Sequence, residues 1–161
     1  MGLDPSIEPL PAPRIGRMAI TSVFGPRIRL RRTPEGRRIV VARTVEAPAE
    51  RAWALLTDTQ RWPDWGPSVS AVECDDRVIR TGSRGRIRTR FGGWLPFAIT
   101  FCEPYRWTWR VAGVPATGHQ VDSECDSHCR VAFDVPLWAP FYIPVVVVAL
   151  RRSARLLESE G

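Results

Sequence analysis

The pattern of apolar and polar positions predicts a sheet-rich domain that begins near residue 37. Residues 38–46 are rich in β-branched side chains, which is typical of a strand. Residues 49–58 follow Pro48 and place apolar side chains at helical spacing, so they predict a first helix. Alternating segments then recur at roughly ten-residue spacing between turn residues, which predicts an antiparallel meander. These predicted strands are 69–76, 84–91, 96–103, 105–112, 117–124 and 128–135.

Two further helical signals complete the pattern. The segment 59–67 (TQRWPDWGP) contains two prolines that a regular helix cannot hold, so we expect only a short helical turn there. Near the end of the chain, Val146, Leu150 and Leu157 fall on one face at helical spacing, which predicts a helix over about 144–158. One strand, two short helices, six antiparallel strands and a long helix define a two-layer α+β fold.

Side-chain parity assigns the two faces of the predicted sheet. In the strand 105–112, Arg106 and Arg110 alternate with Trp107 and Trp109. The tryptophans therefore predict an apolar face that the last helix covers, and the arginines predict a solvent-facing side. We expect Arg106 and Arg110 to pair across the ladder with acids at 122 and 124 on the next strand. One helix cannot fill the whole concave face, so the pattern also predicts a cavity between sheet and helix.

The N-terminal residues 1–36 differ from the rest of the chain. Residues 1–17 hold four prolines and no periodicity, which predicts a mobile tail, and Met18 is a candidate for the true start. Ile28 and Leu30 alternate with arginines, so this part of the arm predicts an extra strand. We therefore divide the chain into an arm, 1–36, and a single domain, 37–161.

Charge and cysteine content narrow the function classes. The formal net charge is +6, and all 23 basic residues are arginines. Without lysine and without clear clustering on one face, this composition does not indicate a nucleic-acid partner. The four cysteines follow no secretory leader, so we expect free thiols and a cytoplasmic location. Residues 135–150 are uncharged, but the run contains three prolines and is shorter than the ~20 residues of a spanning helix, so no stable membrane insertion is expected.

Three segments resemble a known family. Residues 45–73 (VEAPAERAWALLTDTQRWPDWGPSVSAVE) resemble the opening of the START/Bet v 1-like (SRPBCC) superfamily, in particular its polyketide cyclase/dehydrase and lipid-transport branch. The later segments GSRGRIRTRF and EPYRWTWRV and the closing helix occur where that family has them, so the resemblance covers about 38–158. It implies a helix-grip fold, in which a curved antiparallel sheet of about seven strands wraps around the long C-terminal helix. It also implies a hydrophobic cavity between them, without specifying the ligand.

This resemblance and the strand parity together indicate a site for a small hydrophobic ligand, such as a lipid or a polyketide-like ring. The alternative is a cyclase or dehydratase that uses the same cavity. The chain contains no Gly-rich cofactor loop or other catalytic motif, so no cofactor is expected, and the oligomeric state stays open. The predicted ligand-binding residues are Trp65, Phe97, Phe101, Trp107, Trp109, His119, Tyr142, Val146 and Leu150.

His119 is the candidate catalytic residue. By parity it shares a face with Val121, so its imidazole is either a proton-transfer group in the cavity or a packed core histidine. Cys125, His128 and Cys129 flank a predicted hairpin turn whose spacing does not match paired zinc ligands, so no metal is expected.

Two other features leave alternatives open. Trp62 and Trp65 either cap the core or form the mouth of the cavity, and we favour the core interpretation. Arg43 shares parity with core residues of its strand, and we favour a bulge there over a buried guanidinium.

Overall fold

The structure is a computed structural model that describes residues 25–160. Its strands are β1 (Arg27–Thr33), β2 (Gly36–Val45), β3 (Val69–Cys74), β4 (Arg84–Thr89), β5 (Trp94–Glu103), β6 (Arg106–Val111), β7 (Val114–Cys125) and β8 (His128–Pro136). Its helices are α1 (Ala49–Thr57), α2 (Trp62–Trp65) and α3 (Ile143–Ser159). Short 3₁₀ turns at Thr59–Arg61 and Pro140–Tyr142 precede α2 and α3.

All eight strands form one antiparallel sheet in the order β1-β2-β8-β7-β6-β5-β4-β3. The predicted α+β helix-grip fold is confirmed, with eight strands instead of about seven. The additional strand is β1, which the alternation of the N-terminal arm had suggested, and it pairs along β2 from Arg27 opposite Ala42 to Thr33 opposite Gly36. The predicted tail at residues 1–17 and Met18 lie outside the described residues.

The sheet has two distinct ends because neighbouring strands run in opposite directions. One end carries the β1–β2, β4–β5 and β6–β7 turns together with the connection from β8 to α3, and we call it the groove end. The opposite end carries the β3–β4, β5–β6 and β7–β8 turns. In the described part of the chain, no helix is long and apolar enough to cross a membrane.

The core lies between the concave face of the sheet, α3 and the two short helices. Trp62 from α2 stacks in parallel on Trp107 from β6, with ring centroids 5.3 Å apart, and both are fully buried. The Trp62 indole donates a hydrogen bond to the Leu56 carbonyl at 3.0 Å, so its one polar atom is satisfied. Short helix α2 is therefore held to the sheet by its tryptophan, which supports the core interpretation of this residue.

Phe101 departs from the predicted parity. The β5–β6 register shifts between Ile99, which pairs with Trp109, and Phe101, which pairs with Thr108. Because cross-strand partners share a face, this bulge turns Phe101 to the outer surface, where it is 37% exposed. The placement of Phe101 on the apolar wall is therefore wrong, and Cys102 takes the inner position instead.

Arg43 and the outer arginines also differ from expectation. The β2–β8 register continues without interruption through Arg43, which pairs with Val131, so the bulge that we favoured is absent. Arg43 lies on the core side and is half-buried, and its Nε is buried without a hydrogen-bond partner among the described residues. The predicted pairing of Arg106 and Arg110 with the acids at 122 and 124 is wrong, because the β6–β7 register places Arg106 opposite Gln120.

Arg106 instead joins a buried ionic cluster on the outer face. It contacts Glu35 and, at 3.2 Å, Asp134, which also receives Arg38 at 3.4 Å. Asp134 additionally accepts a hydrogen bond from the backbone N–H of Gly118 at 3.2 Å. These contacts join β2, β6, β7 and β8 through the Asp134 carboxylate, and Glu35 of the β1–β2 turn joins the cluster through Arg106.

Candidate functional site

An apolar groove opens at the groove end of the sheet, between the strand ends and the connection that leads into α3. Its volume is about 320 Å³. Side chains from β4 to β8 form its walls, and Trp138, Ala139, Phe141 and Tyr142 close it on the side of α3. The other lining residues are Ser68, Ile87, Thr89, Phe91, Leu95, Trp109, Val111, Val114, Pro115, Ala116, Thr117, Val135 and Pro136.

A much smaller cavity of about 40 Å³ lies deeper, between α2, α3 and the sheet. Its lining includes Trp65, His119 and Val146. The residues that line both spaces are Ser68, Trp109, Thr117 and Tyr142, and we call these four the neck. The neck is the point at which the groove would continue into the interior.

Two hydrogen bonds hold the neck. On one side, the Ser68 and Tyr142 hydroxyls lie 2.6 Å apart, which ties the segment before β3 to the segment before α3. On the other side, the Trp109 indole donates to the Thr117 hydroxyl at 3.2 Å, and that hydroxyl lies 3.4 Å from His119 Nε2. With the indole hydrogen on Thr117, the threonine proton is free to point at His119 Nε2. The polar groups at the inner end of the groove are therefore three hydroxyls and one indole N–H.

His119 is a core histidine whose polar contact with the groove lining is to Thr117. Its ring stacks on Trp107 with centroids 3.7 Å apart, it is 2% exposed, and its Nδ1 has no hydrogen-bond partner among the described residues. Burial, and secondarily the positive charge of Arg106, hold the pKa of His119 well below its usual value. The imidazole is therefore neutral near physiological pH.

The structure separates the predicted site residues into groups. Trp109 and Tyr142 line the groove, whereas Trp65, His119 and Val146 line only the deeper cavity. Phe97, Trp107 and Leu150 are buried in the core and line neither space. Phe101 lies on the outer face, as described above.

The sequence analysis missed most of the groove. The connection 137–142 belongs to the groove, although Tyr142 is its one residue among the predicted ligand-binding residues. The three prolines of residues 135–150 were the available signal, because proline interrupts a regular helix and so leaves the aromatic residues between these prolines in a surface loop. Ser68 and Thr117 carried no pattern of their own.

The described structure holds no assembled metal-ligand group, and its one thiol–imidazole contact lies away from the groove. Within residues 25–160, no three side chains of the histidine, cysteine and carboxylate types come together as metal ligands. Cys125 Sγ lies 3.5 Å from His128 Nδ1 at the β7–β8 turn, far along the sheet from the groove. A separate depression of about 270 Å³ lies over the outer face of β1 and β2 and is lined by Arg27, Arg29, Arg31 and Arg130.

Comparison with known proteins agrees with this architecture. The fold and the groove define a helix-grip domain with an open apolar site. A family profile described as "Polyketide cyclase / dehydrase and lipid transport" matches residues 36–158, so the chain belongs to that family. A search of curated protein sequences finds no match.

Solved structures share the fold at low sequence identity. The Zhui aromatase/cyclase from Streptomyces sp. R1128 is 12% identical, with a TM-score of 0.59 over 81% of this chain and 94% of that one. XoxI from Bacillus cereus is 12% identical, with a TM-score of 0.59 over 74% and 94%. CalU16 from Micromonospora echinospora is 18% identical, with a TM-score of 0.53 over 84% of each chain.

Proposed function

We propose that this protein binds a small, largely apolar molecule in the groove. The observation that carries the proposal is the groove itself, an open concave site of about 320 Å³ with almost entirely apolar walls. Small-molecule sites in proteins commonly occupy roughly 300–1,000 Å³ and combine apolar walls with a few placed polar groups. The groove matches the lower part of that range, which suits a ligand of one to three fused rings or a short acyl chain.

The neck supplies the polar groups that orient such a ligand. The hydroxyls of Ser68, Tyr142 and Thr117 can each donate or accept a hydrogen bond, and all three lie at the inner end of the groove. A ligand with an apolar body and one terminal oxygen is therefore expected to direct that oxygen at the neck. Its apolar body would then contact Val111, Leu95 and the loop before α3.

The same geometry favours binding over acid–base catalysis. Among the described residues that line the groove, none is a histidine, carboxylate, cysteine or arginine. His119, the group that a cyclase or dehydratase would use, lies behind Thr117 and is held in its neutral form. Its role in this proposal is to accept the Thr117 proton and so to position that hydroxyl.

The test is a titration with the uncharged fluorescent probe N-phenyl-1-naphthylamine. The chain should bind it saturably, and Val111→Phe should weaken binding at least about tenfold, because the larger ring would occupy part of the roughly 320 Å³ that the probe needs. Val148→Phe is the matched control, since Val148 is exposed on α3 and does not line the groove. Equal probe affinity in both variants, or no saturable binding by the unmodified chain, would contradict the proposal.

A further inference from the structure

Three aromatic side chains project into solvent around the mouth of the groove. Phe91 in the β4–β5 turn is 102% exposed, and Trp138 and Phe141 in the β8–α3 connection are 62% and 73% exposed. We call these three residues the aromatic rim. Large apolar side chains that cluster on an exposed surface usually mark an interaction site, whereas single ones need no explanation.

The charges around the rim are unevenly distributed. Exposed arginines, including Arg37, Arg90 and Arg110, occupy the strand ends at the groove end. In the described structure, the turns at this end carry one carboxylate, Glu35, and it is paired with Arg106.

Acidic residues concentrate at the opposite end of the sheet. Its turns and the neighbouring helix ends carry Glu46, Glu50, Asp75, Asp76, Asp126 and Glu158. Arg77 and Arg80 lie in the same β3–β4 turn, where Arg80 pairs with Asp76 at 3.3 Å, so part of this negative charge is neutralised. The groove end is therefore both apolar and positively charged.

We propose that the groove end docks onto an anionic lipid membrane. The aromatic rim enters the interfacial layer, where aromatic rings partition well, and the surrounding arginines contact lipid phosphates. Docking in this orientation places the groove mouth against the lipid. The surface association requires no spanning helix and does not depend on a ligand in the groove.

Charge and shape favour a membrane over a second copy of the chain. Two copies that met through this face would bring the same arginines together, and like charges across an interface are strongly unfavourable. The rim residues also come from two separate loops on either side of a depression, a shape that a fluid interface accommodates without a complementary surface. An anionic membrane is compatible with both the positive charge and the shape of the groove end.

The first experiment is sedimentation of the full chain with vesicles of phosphatidylcholine, with and without phosphatidylserine. Binding is expected only with phosphatidylserine and should decrease as salt increases. Trp138→Ser and Phe141→Ser should each lower the partition coefficient about tenfold, because each removes a large apolar side chain from the contact. Phe101→Ser is the matched control, since Phe101 is exposed on the outer face of the sheet.

The contribution of the arginines to membrane binding is tested by two matched variants on strand β4. Arg90 follows β4 at the groove end, and Arg84 begins β4 at the opposite end, and both are exposed. Arg90→Glu should weaken binding several-fold, whereas Arg84→Glu should leave it unchanged. Equal losses in the two variants would indicate attraction by net charge alone and would overturn the oriented docking.

A spectroscopic experiment tests which residue enters the lipid. Vesicles that contain brominated phosphatidylcholine should quench part of the tryptophan fluorescence, and Trp138→Phe should remove most of that quenching while binding persists. An equal extent of quenching before and after this substitution would contradict the entry of Trp138 into the lipid. A different result would make the aromatic rim a protein interface and the proposal wrong: the chain does not bind vesicles, and Trp138→Ser abolishes self-association measured by analytical ultracentrifugation. Because no groove ligand is added, failure here leaves the probe titration unaffected.

Discussion

The buried histidine links the stability of the fold to pH. Burial and Arg106 hold the pKa of His119 well below its usual value in the folded chain, whereas in the unfolded chain it returns to about 6.5. Below that pH, the unfolded chain binds one more proton at this position than the folded chain does. The contribution of neutral His119 to stability is therefore fully present above about pH 6.5 and is lost progressively as the pH falls below it.

The size of this change in the free energy of unfolding follows from the binding of one proton by the unfolded chain. While the folded imidazole stays neutral, each pH unit below about 6.5 lowers the free energy of unfolding by at most about 1.4 kcal/mol, so a change from about pH 7.5 to about pH 5 removes at most about 2 kcal/mol. Two carboxylates, Glu35 and Asp58, add a further pH dependence at lower pH. Burial raises the pKa of Glu35, but Arg106 and hydrogen bonds lower it to a net value below the usual one. The hydrogen bond from Arg77 lowers the pKa of Asp58. The stability that these two carboxylates contribute is therefore lost as the pH falls below about 4.

The assay is urea unfolding of the unmodified chain, His119→Phe and His128→Gln at about pH 7.5 and about pH 5. His119→Phe keeps an aromatic ring against Trp107 but cannot titrate, so the His119-linked decrease should be absent from this variant. His128 is partly exposed at the β7–β8 turn, and its variant should keep the decrease. The reasoning is refuted if the free energies of the unmodified chain and His119→Phe change by the same amount between the two pH values.

Further stability predictions follow from the core and the ionic cluster. Trp62→Ala should lower the free energy of unfolding by about 3–5 kcal/mol in urea, since it empties a fully buried site stacked on Trp107, and a loss below about 1 kcal/mol would contradict this packing. Gly118→Ala should lower the melting temperature strongly, because a Cβ there would lie 2.2 Å from a carboxylate oxygen of Asp134. Gly93→Ala is its control, since the nearest atom to a Cβ at that position is 4.0 Å away, and comparable melting temperatures for the two variants would contradict the close approach.

Much of the fold follows from local sequence signals. Alternation placed Trp107 on the inner face and Arg106 on the outer face, and helical spacing placed α3 within one or two residues of its observed bounds. The errors arise where that periodicity is interrupted. The bulge after Ile99 reverses the side-chain alternation, and the β6–β7 register gives Arg106 partners from strands that are distant in sequence.

The site was harder to predict than the fold. Parity identifies which side chains face inward, but it does not show where other side chains fill the interior and where a space remains. Trp107 faces inward as expected and is fully covered by Trp62, so the space lies nearer the strand ends instead. The position of the groove depends on how the connection 137–142 crosses the end of the sheet, and this depends on tertiary contacts such as Ser68 with Tyr142.

The most direct test of the proposed function is chemical-shift mapping by NMR of the ¹⁵N-labelled chain titrated with N-phenyl-1-naphthylamine. Binding in the groove predicts shifts at the indole N–H of Trp109 and at the backbone amides of Ser68, Val111 and Thr117. The amides of β1, beside the arginine-lined depression, should stay in place. Shifts confined to β1 or spread evenly over the surface, with the Trp109 indole unmoved at saturation, would contradict a ligand site in the groove.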